Sequence, residues 1–376
     1  MLSLTTEQRM TIESVREIAE AEFAERAGSW QGEPPTENLE TLAEHGYLGV
    51  SFPEAYGGAG MSPFVATLLR ETLARVCPDT GYAFPDLGPA RTVAMFGSPA
   101  AKERFLPPIA NAEESMAIAI SEPDAGSDVG SMVTTATDDG DAVVVNGEKT
   151  WISGFSRAES AVVWVKFPEG LGTVVMELDS PGIEIGNKFT NMFGNEQCLF
   201  YMDDVVVPDE YVLTRGREAF KQQLQALNWE RLGSATLCTG TALCAFDRAL
   251  EYAAEREQFG QSIGDFQGIE WKLADMATEV QSARALTHQA GQLAHDAGRA
   301  PDRLSTSLAN LHSAEMLEHV ASEALQIHGA VGYQRGHPLE WIYRFARGRR
   351  LASGSDEIQK NTIAGALKEQ GLPHIH

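Results

Sequence analysis

Histidines and glycine clusters are the first residues in this sequence whose types and spacing could do chemistry. His288 and His295 lie seven residues apart and can share a helix face, but neither an H-E-x-x-H motif nor a Cys/His cluster accompanies them, so a metal site is not expected. The run G-G-A-G at residues 57–60 lacks the G-x-G-x-x-G spacing, and no G-x-x-x-x-G-K-[ST] motif occurs. We therefore predict a turn at residues 57–60 rather than a site for nucleotide phosphates.

Composition narrows the class of protein. The 376 residues include 43% apolar residues, enough to bury two or three cores, so several domains are expected. The formal net charge of -24 argues against a general nucleic-acid binder, because non-specific affinity for nucleic acid comes from a surplus of Lys and Arg near phosphates. Acidity otherwise bears on solubility rather than on fold.

The apolar pattern and the cysteines bear on location. No apolar run approaches the ~18 residues that a membrane span needs, and the first residues do not resemble a secretory leader. The four cysteines have neither C-x-x-C spacing nor the density of a disulfide framework, which predicts buried thiols in a reducing compartment. A cytoplasmic protein without a membrane span is the expectation.

The pattern of apolar and β-branched residues changes twice along the chain, which predicts an α+β protein of three domains. Residues 1–112 have a helical pattern, and residues 113–215 hold short β-branched runs typical of an antiparallel β-barrel or sandwich. Asn146-Gly147 between two of these runs predicts a hairpin turn. In residues 216–376, apolar side chains recur every three or four residues over three long stretches, which predicts a bundle of long helices.

Four segments of the sequence together resemble the acyl-CoA dehydrogenase family, and the resemblance covers nearly the whole chain. They occur in the family's order and spacing, which makes the set far more specific than any one segment. The segments are S-E-P-D-A-G-S-D-V at 121–129, G-E-K-T-W-I-S at 147–153, R-E-Q-F-G-Q-S-I with F-Q at 256–267, and Q-I-H-G-A-V-G-Y at 326–333.

The resemblance implies the acyl-CoA dehydrogenase fold, with a C-terminal four-helix bundle, and FAD as the cofactor. Trp151 would supply an aromatic wall and Ser153 a hydroxyl for the planar, amphipathic flavin ring. The other residues that it assigns to FAD are Ser121 at the ring, Arg256, Gln258 and Phe259 reaching the FAD of a neighbouring subunit, Gln326 and Gly329 on the adenine side, and Ser355 with Glu357 beyond. Because the cofactor site spans subunits in the family, a homotetramer is implied.

The family's reaction implies a base, and here the sequence departs from the commonest pattern. Most members carry a glutamate in a Y-E-G-T segment, where this chain has Ser353. A second group, including isovaleryl and long-chain enzymes, places the glutamate earlier in an L-x-x-E-R-L context, which matches residues 227–232. We therefore expect Glu230 to take the α proton. An E-R pair on a helix is also commonly solvated or ion-paired, so a structural role for Glu230 stays open.

Substrate, partner and alternative functions follow from the same resemblance. Ser127 and Arg231 are expected to bind the acyl thioester, carried by coenzyme A or by an acyl carrier protein, and an electron-transfer flavoprotein is the expected electron acceptor. Because position 353 carries serine where most family members carry glutamate, two alternative functions stay open. One is a flavin monooxygenase or oxidase that acts on a non-thioester substrate, and the other is a non-catalytic thioester-binding protein.

Two further segments bear on the substrate. Residues 78–89 correspond to helices that floor the acyl pocket in the family, and their prolines predict a broken helix. Asp86 and Arg91 are expected to be exposed loop charges, with contact to a polar acyl group as the alternative. Four arginines at positions 344, 347, 349 and 350 could bind the phosphates of coenzyme A, contact a carrier protein or pack at a subunit interface.

Overall fold

The computed structural model describes residues 4–29 and 32–372. Its sequence of elements is helical, then sheet-rich, then helical, which confirms the predicted fold class. The helices are α1 Thr6–Ile18, α2 Thr36–Glu44, α3 Pro63–Val76, α4 Pro78–Ala83, α5 Pro89–Phe96, α6 Pro99–Ala110, α7 Ala219–Glu255, α8 Gln267–Asp296, α9 Arg303–His328, α10 Pro338–Arg349 and α11 Asp356–Gln370. The strands are β1 Met116–Ala119, β2 Thr135–Asp139, β3 Ala142–Ser153, β4 Ser160–Phe167, β5 Gly170–Glu177, β6 Ile183–Thr190, β7 Glu196–Pro208, β8 Val212–Thr214, β9 Glu257–Gln258 and β10 Gln261–Ser262.

The chain divides into two compact units. The helical unit contains the residues up to Pro35, then Thr67–Ala83, and the chain from Glu230 onward. The sheet unit contains Thr36–Ala66 and Phe84–Trp229. The predicted domain boundaries after residues 112 and 215 stay a prediction.

The sheet unit is built on one eight-stranded sheet with the order β6-β7-β3-β2-β4-β5-β8, in which β1 pairs with β4. Most pairings are antiparallel, while β4 pairs in parallel with β1 and with one residue of β2. Alternate residues of β3, such as Val143 and Val145, are fully buried in the core between strands, as a half-buried strand requires. The long pair of β3 and β7 carries the segment that the sequence assigned to the flavin.

The predicted hairpin at Asn146-Gly147 is wrong. Both residues lie inside β3, where the register with β7 shifts between Val145 and Gly147 as a β-bulge. The Asn146 amide pairs with Asp204 of β7 instead of closing a turn, donating from Nδ2 at 3.0 Å and accepting from the Asp204 amide at 2.9 Å. The turn between β2 and β3 comes earlier, at Gly140, whose φ of 70° suits a tight connection.

The helical unit is formed mainly by α7, α8 and α9, the three long helices that the apolar stripes predict. Close packing of α3 on α7 depends on Gly240, because a Cβ there would lie 2.4 Å from the carbonyl oxygen of Glu71 and 2.7 Å from the Cβ of Ala74. This approach brings a polar α3 side chain into the bundle. Glu71 is buried and accepts hydrogen bonds from Thr239, Arg284 and His288.

The predicted break in the pocket-floor segment is confirmed, since α4 ends at Ala83 and α5 begins only at Pro89. The expectation that Asp86 and Arg91 are exposed loop charges is wrong. The Asp86 side chain is fully buried and accepts from the amide of Ser51 at 2.7 Å, while Arg91 donates to the hydroxyl of Ser51 at 2.7 Å. Both charges anchor the loop before α5, since a buried charge needs polar partners.

No helix within residues 4–29 and 32–372 is long and apolar enough to cross a membrane. The four cysteines are free and buried, as predicted.

Candidate active site

Glu230 and Ser353, the two positions at which the family carries its base, meet in the helical unit. The Ser353 hydroxyl donates a hydrogen bond of 3.1 Å to Oε1 of Glu230. Glu230 projects from α7, whereas Ser353 lies in the turn between α10 and α11, 123 residues further along the chain. One carboxylate from α7 therefore occupies the neighbourhood in which a side chain at position 353 would act.

The environment of Glu230 favours a proton acceptor. Burial raises the pKa of its carboxyl, and the opposing effects of the Ser353 hydroxyl and of the nearby guanidinium groups do not reverse the shift. The contributing cations are Arg349, Arg231 and Arg70. A carboxylate with a raised pKa binds a proton more strongly than an exposed glutamate does, which suits a general base.

Arg231 holds the turn that carries Ser353. Its Nε donates to the backbone carbonyl of Ser353 at 3.2 Å, and Nε2 of Gln359 donates to the same oxygen at 3.0 Å. Ser353 has a φ of 57° and Gly354 a φ of 95°, so the turn follows a left-handed path that Gly354 tolerates easily. These contacts position Ser353 for Glu230, while a role of Arg231 toward the substrate stays a prediction.

Trp151 and Ser153 lie on a bulge of β3 in the sheet unit. The register of β3 with β7 shifts between Lys149 and Ile152, and Trp151 has a φ of 61° with 56% of its surface exposed. Gln197 of β7 fixes this bulge, because its Nε2 donates to the Trp151 carbonyl and to the Ser153 hydroxyl, both at 3.1 Å. The bulge thus presents an aromatic face and an ordered hydroxyl side by side.

A buried ion pair joins the 121–129 segment to β3. Lys149 donates to Glu122 at 2.9 Å, and both side chains are almost completely buried. The Glu122 carboxylate also accepts from the amides of Val133 and Thr134, so its charge is well compensated and its pKa is lowered despite burial. The carbonyl of Ser121 accepts from the amide of Thr150 at 2.9 Å.

Ser121 therefore lies next to the β3 bulge, because its carbonyl is hydrogen-bonded to Thr150, the residue directly before Trp151. Ser127 lies in the exposed part of the same segment. Sequence reasoning missed Glu122, Lys149 and Gln197. The first two were visible as charged residues inside the quoted motifs, but only the fold reveals that they form a pair.

The segment 256–262 forms a small hairpin at one end of the helical unit. Gln258 pairs with Gln261 and Glu257 with Ser262, leaving Phe259 and Gly260 as the two turn residues, with φ of 55° and 80°. Two positive φ angles define a type I′ turn, which a bulky residue such as Phe259 seldom enters. Phe259 is nevertheless 94% exposed.

Arg256 and Gln258 flank this turn on the protein surface. Within the described part of the chain, no carboxylate pairs with the Arg256 guanidinium. An unpaired guanidinium beside an exposed aromatic ring is a suitable partner for a phosphate and a planar ring of a bound molecule.

Gln326 and Gly329 lie at the same end of the helical unit as the hairpin. The ring of Tyr252, near the end of α7, stacks on His328 at the end of α9 with 4.3 Å between centroids. Gln326 is exposed one turn earlier on α9, and Gly329 ends that helix with a φ of 60°. Arg256 and Gln326 therefore belong to one surface region.

Ser355 and Glu357 lie elsewhere in the helical unit, at the start of α11. Ser355 is the N-cap residue, and Glu357 is exposed in the first helical turn. Its pKa is lowered by its own backbone amide and by the Ser355 hydroxyl, as expected for a carboxylate at a helix N-terminus. These residues follow the Ser353 turn directly.

The arginines between residues 344 and 350 do not form an open basic patch. Arg344 donates to Glu340 at 2.8 Å, and Arg347 and Arg350 both contact Glu318, at 3.8 Å and 2.7 Å. Their charges are largely matched within the unit, which weakens the case for coenzyme A phosphates or an acidic carrier at this place. The remaining arginine of the group is buried.

The residues at these places fit an FAD molecule. A flavin needs a flat apolar wall with polar atoms along its edge, and the β3 bulge offers an exposed indole next to the Ser153 hydroxyl. A pyrophosphate needs a free cation, which Arg256 provides. Among the described residues, no group of three or more His, Cys, Asp and Glu side chains could hold a metal ion.

Comparison with known proteins identifies the family. Models of the N-terminal, middle and C-terminal domains of acyl-CoA dehydrogenases match residues 5–113, 117–205 and 218–368. A probable acyl-CoA dehydrogenase of Bacillus subtilis is 35% identical over 97% of this chain and 98% of that protein. A subunit of the caffeyl-CoA reductase-Etf complex of Acetobacterium woodii is 32% identical over 96% of this chain and 94% of that protein.

The fold comparison agrees with the sequence comparison. The solved structure of a glutaryl-coenzyme A dehydrogenase in complex with glutaryl-CoA is 32% identical, has a TM-score of 0.91, and covers the whole of both chains, at 100% each. The chain belongs to the acyl-CoA dehydrogenase family and is an FAD-dependent oxidoreductase.

Proposed function

We propose that the protein oxidises an acyl-CoA thioester to the α,β-unsaturated thioester, with Glu230 as the base. The hydrogen bond of 3.1 Å between Ser353 and Glu230 carries this proposal, because it unites the family's two base positions around a single carboxylate. The names of the relatives, which include an acyl-CoA dehydrogenase and a glutaryl-coenzyme A dehydrogenase, support the thioester as substrate class.

Glu230 acts first on the α carbon of the thioester. Its carboxylate takes the α proton, and the electron pair of that bond forms the new double bond as the β hydrogen leaves with its own electron pair. FAD, when bound, supplies the acceptor for this hydride. The partial burial of Glu230 limits the access of bulk water to its carboxylate, and the Ser353 hydroxyl holds Oε1 in place before the proton is transferred.

We further propose that the Arg256 hairpin serves the cofactor of a neighbouring subunit in a homotetramer. Along the continuous helix α7, Glu230 and Glu255 are about 38 Å apart at ~1.5 Å per residue. One FAD molecule that receives hydride from a substrate at Glu230 is too short to reach Arg256 of the same chain. The exposure of Phe259 agrees with a contact to a second copy of the chain.

An electron-transfer flavoprotein is the proposed electron acceptor. The relative from Acetobacterium woodii, which is a subunit of an Etf complex, supports this partner. A cytoplasmic location is proposed as well, and the four free, buried thiols support a reducing compartment.

The decisive experiment mixes the FAD-loaded protein anaerobically with saturated acyl thioesters and follows the flavin absorbance. Wild type should bleach on addition of its acyl-CoA substrate. Glu230→Gln should retain FAD but bleach about 100-fold to 10,000-fold more slowly, because general-base catalysis contributes ~10²–10⁴-fold. Glu251→Gln, an exposed glutamate of the same helix, is the matched control and should behave as wild type.

Each outcome separates the candidate functions. Bleaching that survives in Glu230→Gln would remove Glu230 as the base. A flavin that no acyl-CoA or acyl-carrier thioester bleaches would overturn the dehydrogenase proposal. Turnover of a different compound with reduced flavin and O2 would then establish a monooxygenase, and a protein that stays colourless after addition of FAD would establish a binding protein.

A further inference from the structure

Arg349 is a buried cation that has no ion-pair partner among the described residues. It is the last residue of α10, only 9% exposed, and its Nη2 donates to the hydroxyl of Ser234 at 2.9 Å. The guanidinium carbon lies 5.5 Å from the centroid of the Phe345 ring. Within residues 4–29 and 32–372, Nε of Arg349 has no hydrogen-bond partner, and no carboxylate forms an ion pair with the guanidinium.

The neutral contacts of Arg349 compensate its charge only in part. A hydroxyl and an aromatic ring carry no net charge, and the C-terminus of α10 offers the equivalent of about half a negative charge. Buried charges in proteins are normally paired, because desolvating an unpaired ion is expensive. A buried guanidinium with an unused donor therefore indicates an anion that is not part of the chain.

The position of Arg349 relates this missing anion to the base. Its hydrogen-bond partner Ser234 lies four residues after Glu230 on α7, so the two side chains are neighbours on one helix face. Glu230 lies within the electrostatic field of Arg349, but among the described residues no hydrogen bond or ion pair joins the two side chains, and Oε1 of Glu230 accepts from Ser353.

We propose that Arg349 binds a carboxylate at the far end of the acyl group, so that the substrates are short ω-carboxyacyl thioesters. This inference rests on the proposed function, because the α carbon of the acyl group is placed at Glu230. The four residues from Glu230 to Ser234 rise by ~6 Å along α7, a span that a few methylene groups cross. The unused Nε then donates one of the two hydrogen bonds of a bidentate contact between the guanidinium and the carboxylate.

The test compares glutaryl-CoA with its ω-amide, a neutral analogue of the same shape, in the FAD-loaded enzyme. Succinyl-CoA and adipyl-CoA define the preferred length. The wild type should favour the carboxylate in kcat/KM by about 30-fold or more, as expected for a buried, hydrogen-bonded charge pair. Arg349→Gln should abolish that preference by losing activity on glutaryl-CoA while the amide is little affected. Arg347→Gln, an exposed arginine of the same helix, should keep it.

Binding is measured separately from the chemistry in the Glu230→Gln background, from the change of the flavin spectrum on titration with glutaryl-CoA and with the amide. Tighter binding of the carboxylate that disappears on adding Arg349→Gln supports the proposal. Equal binding of the two ligands, or an equal loss for both in Arg349→Gln, overturns it and leaves Arg349 a structural residue.

The two proposals fail in different ways. If neutral acyl-CoAs bleach the flavin at least as well as glutaryl-CoA, the dehydrogenase proposal stands and the carboxylate proposal falls. If no thioester bleaches the flavin, the dehydrogenase proposal falls, and the binding titration still decides whether Arg349 selects a carboxylate. If Arg349→Gln does not retain FAD, the carboxylate proposal is decided by the wild-type enzyme alone, from its activity on glutaryl-CoA and on the ω-amide.

Discussion

At the scale of single residues, Glu230 is held between two opposing effects. Burial disfavours its charged form and raises its pKa, whereas the Ser353 hydroxyl and the surrounding guanidinium groups favour the charged form. The balance leaves a carboxylate that is more basic than an exposed glutamate. Serine at position 353 therefore has a role of its own in the proposed mechanism, because its hydroxyl orders the carboxylate that we propose as the base.

Ser353→Ala tests this role through the pH dependence of kcat/KM. The hydrogen bond from Ser353 lowers the pKa of Glu230, so its loss raises that pKa further. Because the base acts when deprotonated, the acid limb of the profile should move to higher pH, with activity on the alkaline plateau largely kept. Ser282→Ala, an exposed serine of α8, should leave the profile unchanged. A limb that does not move, or that moves to lower pH, contradicts the assignment.

The candidate base could be predicted from sequence, but its surroundings could not. The L-N-W-E-R-L context pointed to Glu230, and the serine at 353 was recognisable as a departure from the family. The contact between them joins residues 123 positions apart, and no local pattern reports such a distance. Asp86 and Arg91 were misjudged for the same reason, because their partner Ser51 is remote in sequence.

At the scale of elements, Glu71 fastens three helices of the helical unit together. It lies on α3 and accepts from Thr239 of α7 at 2.7 Å and from Arg284 and His288 of α8 at 2.8 and 3.0 Å. These donors overcome the effect of burial and lower the pKa of its carboxyl to about 2. Helix α7 also carries Glu230, so this cluster stabilises the helix that carries the proposed base.

Glu71→Gln should destabilise the protein by about 3 kcal/mol at pH 7, since a depression from 4.5 to about 2 corresponds to that free energy at ~1.4 kcal/mol per unit. The folded-state pKa is depressed, so this stabilisation is present above pH 4.5 and is lost as the pH falls toward 2. Urea unfolding of wild type and variant at pH 7 and at pH 3.5 measures the difference, which should shrink at the lower pH. Glu251→Gln should show no deficit, and a deficit that is constant with pH argues against the ionised cluster.

The long helices could be predicted from the regular spacing of their apolar residues. The extent of strand β3 could not, because Asn146-Gly147 in its middle has the composition of a turn. The apolar stripes of α7, α8 and α9 repeat over many turns, so the helical period dominates any local ambiguity. Asn146-Gly147 has the composition of a turn, yet the ladder with β7 and the side-chain pair with Asp204 hold it in an extended strand. Tertiary pairing outweighed the two-residue preference.

At the scale of the whole molecule, one end of the helical unit presents aromatic surface to its surroundings. Phe259 is 94% exposed, Tyr333 75% and Trp271 61%, and the stacking of Tyr252 on His328 brings the ends of α7 and α9 together there. Exposed aromatic side chains of this density are typical of surfaces that contact another molecule. Together with Arg256, they are the features that a shared cofactor site requires.

Complementation between subunits tests the proposed sharing. Arg256→Gln should weaken FAD binding about tenfold to a hundredfold, the range for losing a hydrogen bond to a charged group, without changing the helix content. When Arg256→Gln and Glu230→Gln subunits are unfolded together and refolded with FAD, mixed oligomers should contain sites with an intact base and an intact neighbouring hairpin. Activity should then exceed that of either variant refolded alone. No rescue would mean that each hairpin serves its own chain.

The interleaving of the two units has a consequence for biosynthesis. Every residue of the sheet unit has been made once Trp229 has left the ribosome, so that unit can fold while the rest of the chain is still being translated. The segments before Pro35 and between Thr67 and Ala83 belong to the other unit, whose remaining residues begin at Glu230. Their apolar faces have no partner within their own unit until the chain from Glu230 onward has been made, so we expect these early helices to be the part of the nascent chain most dependent on chaperones.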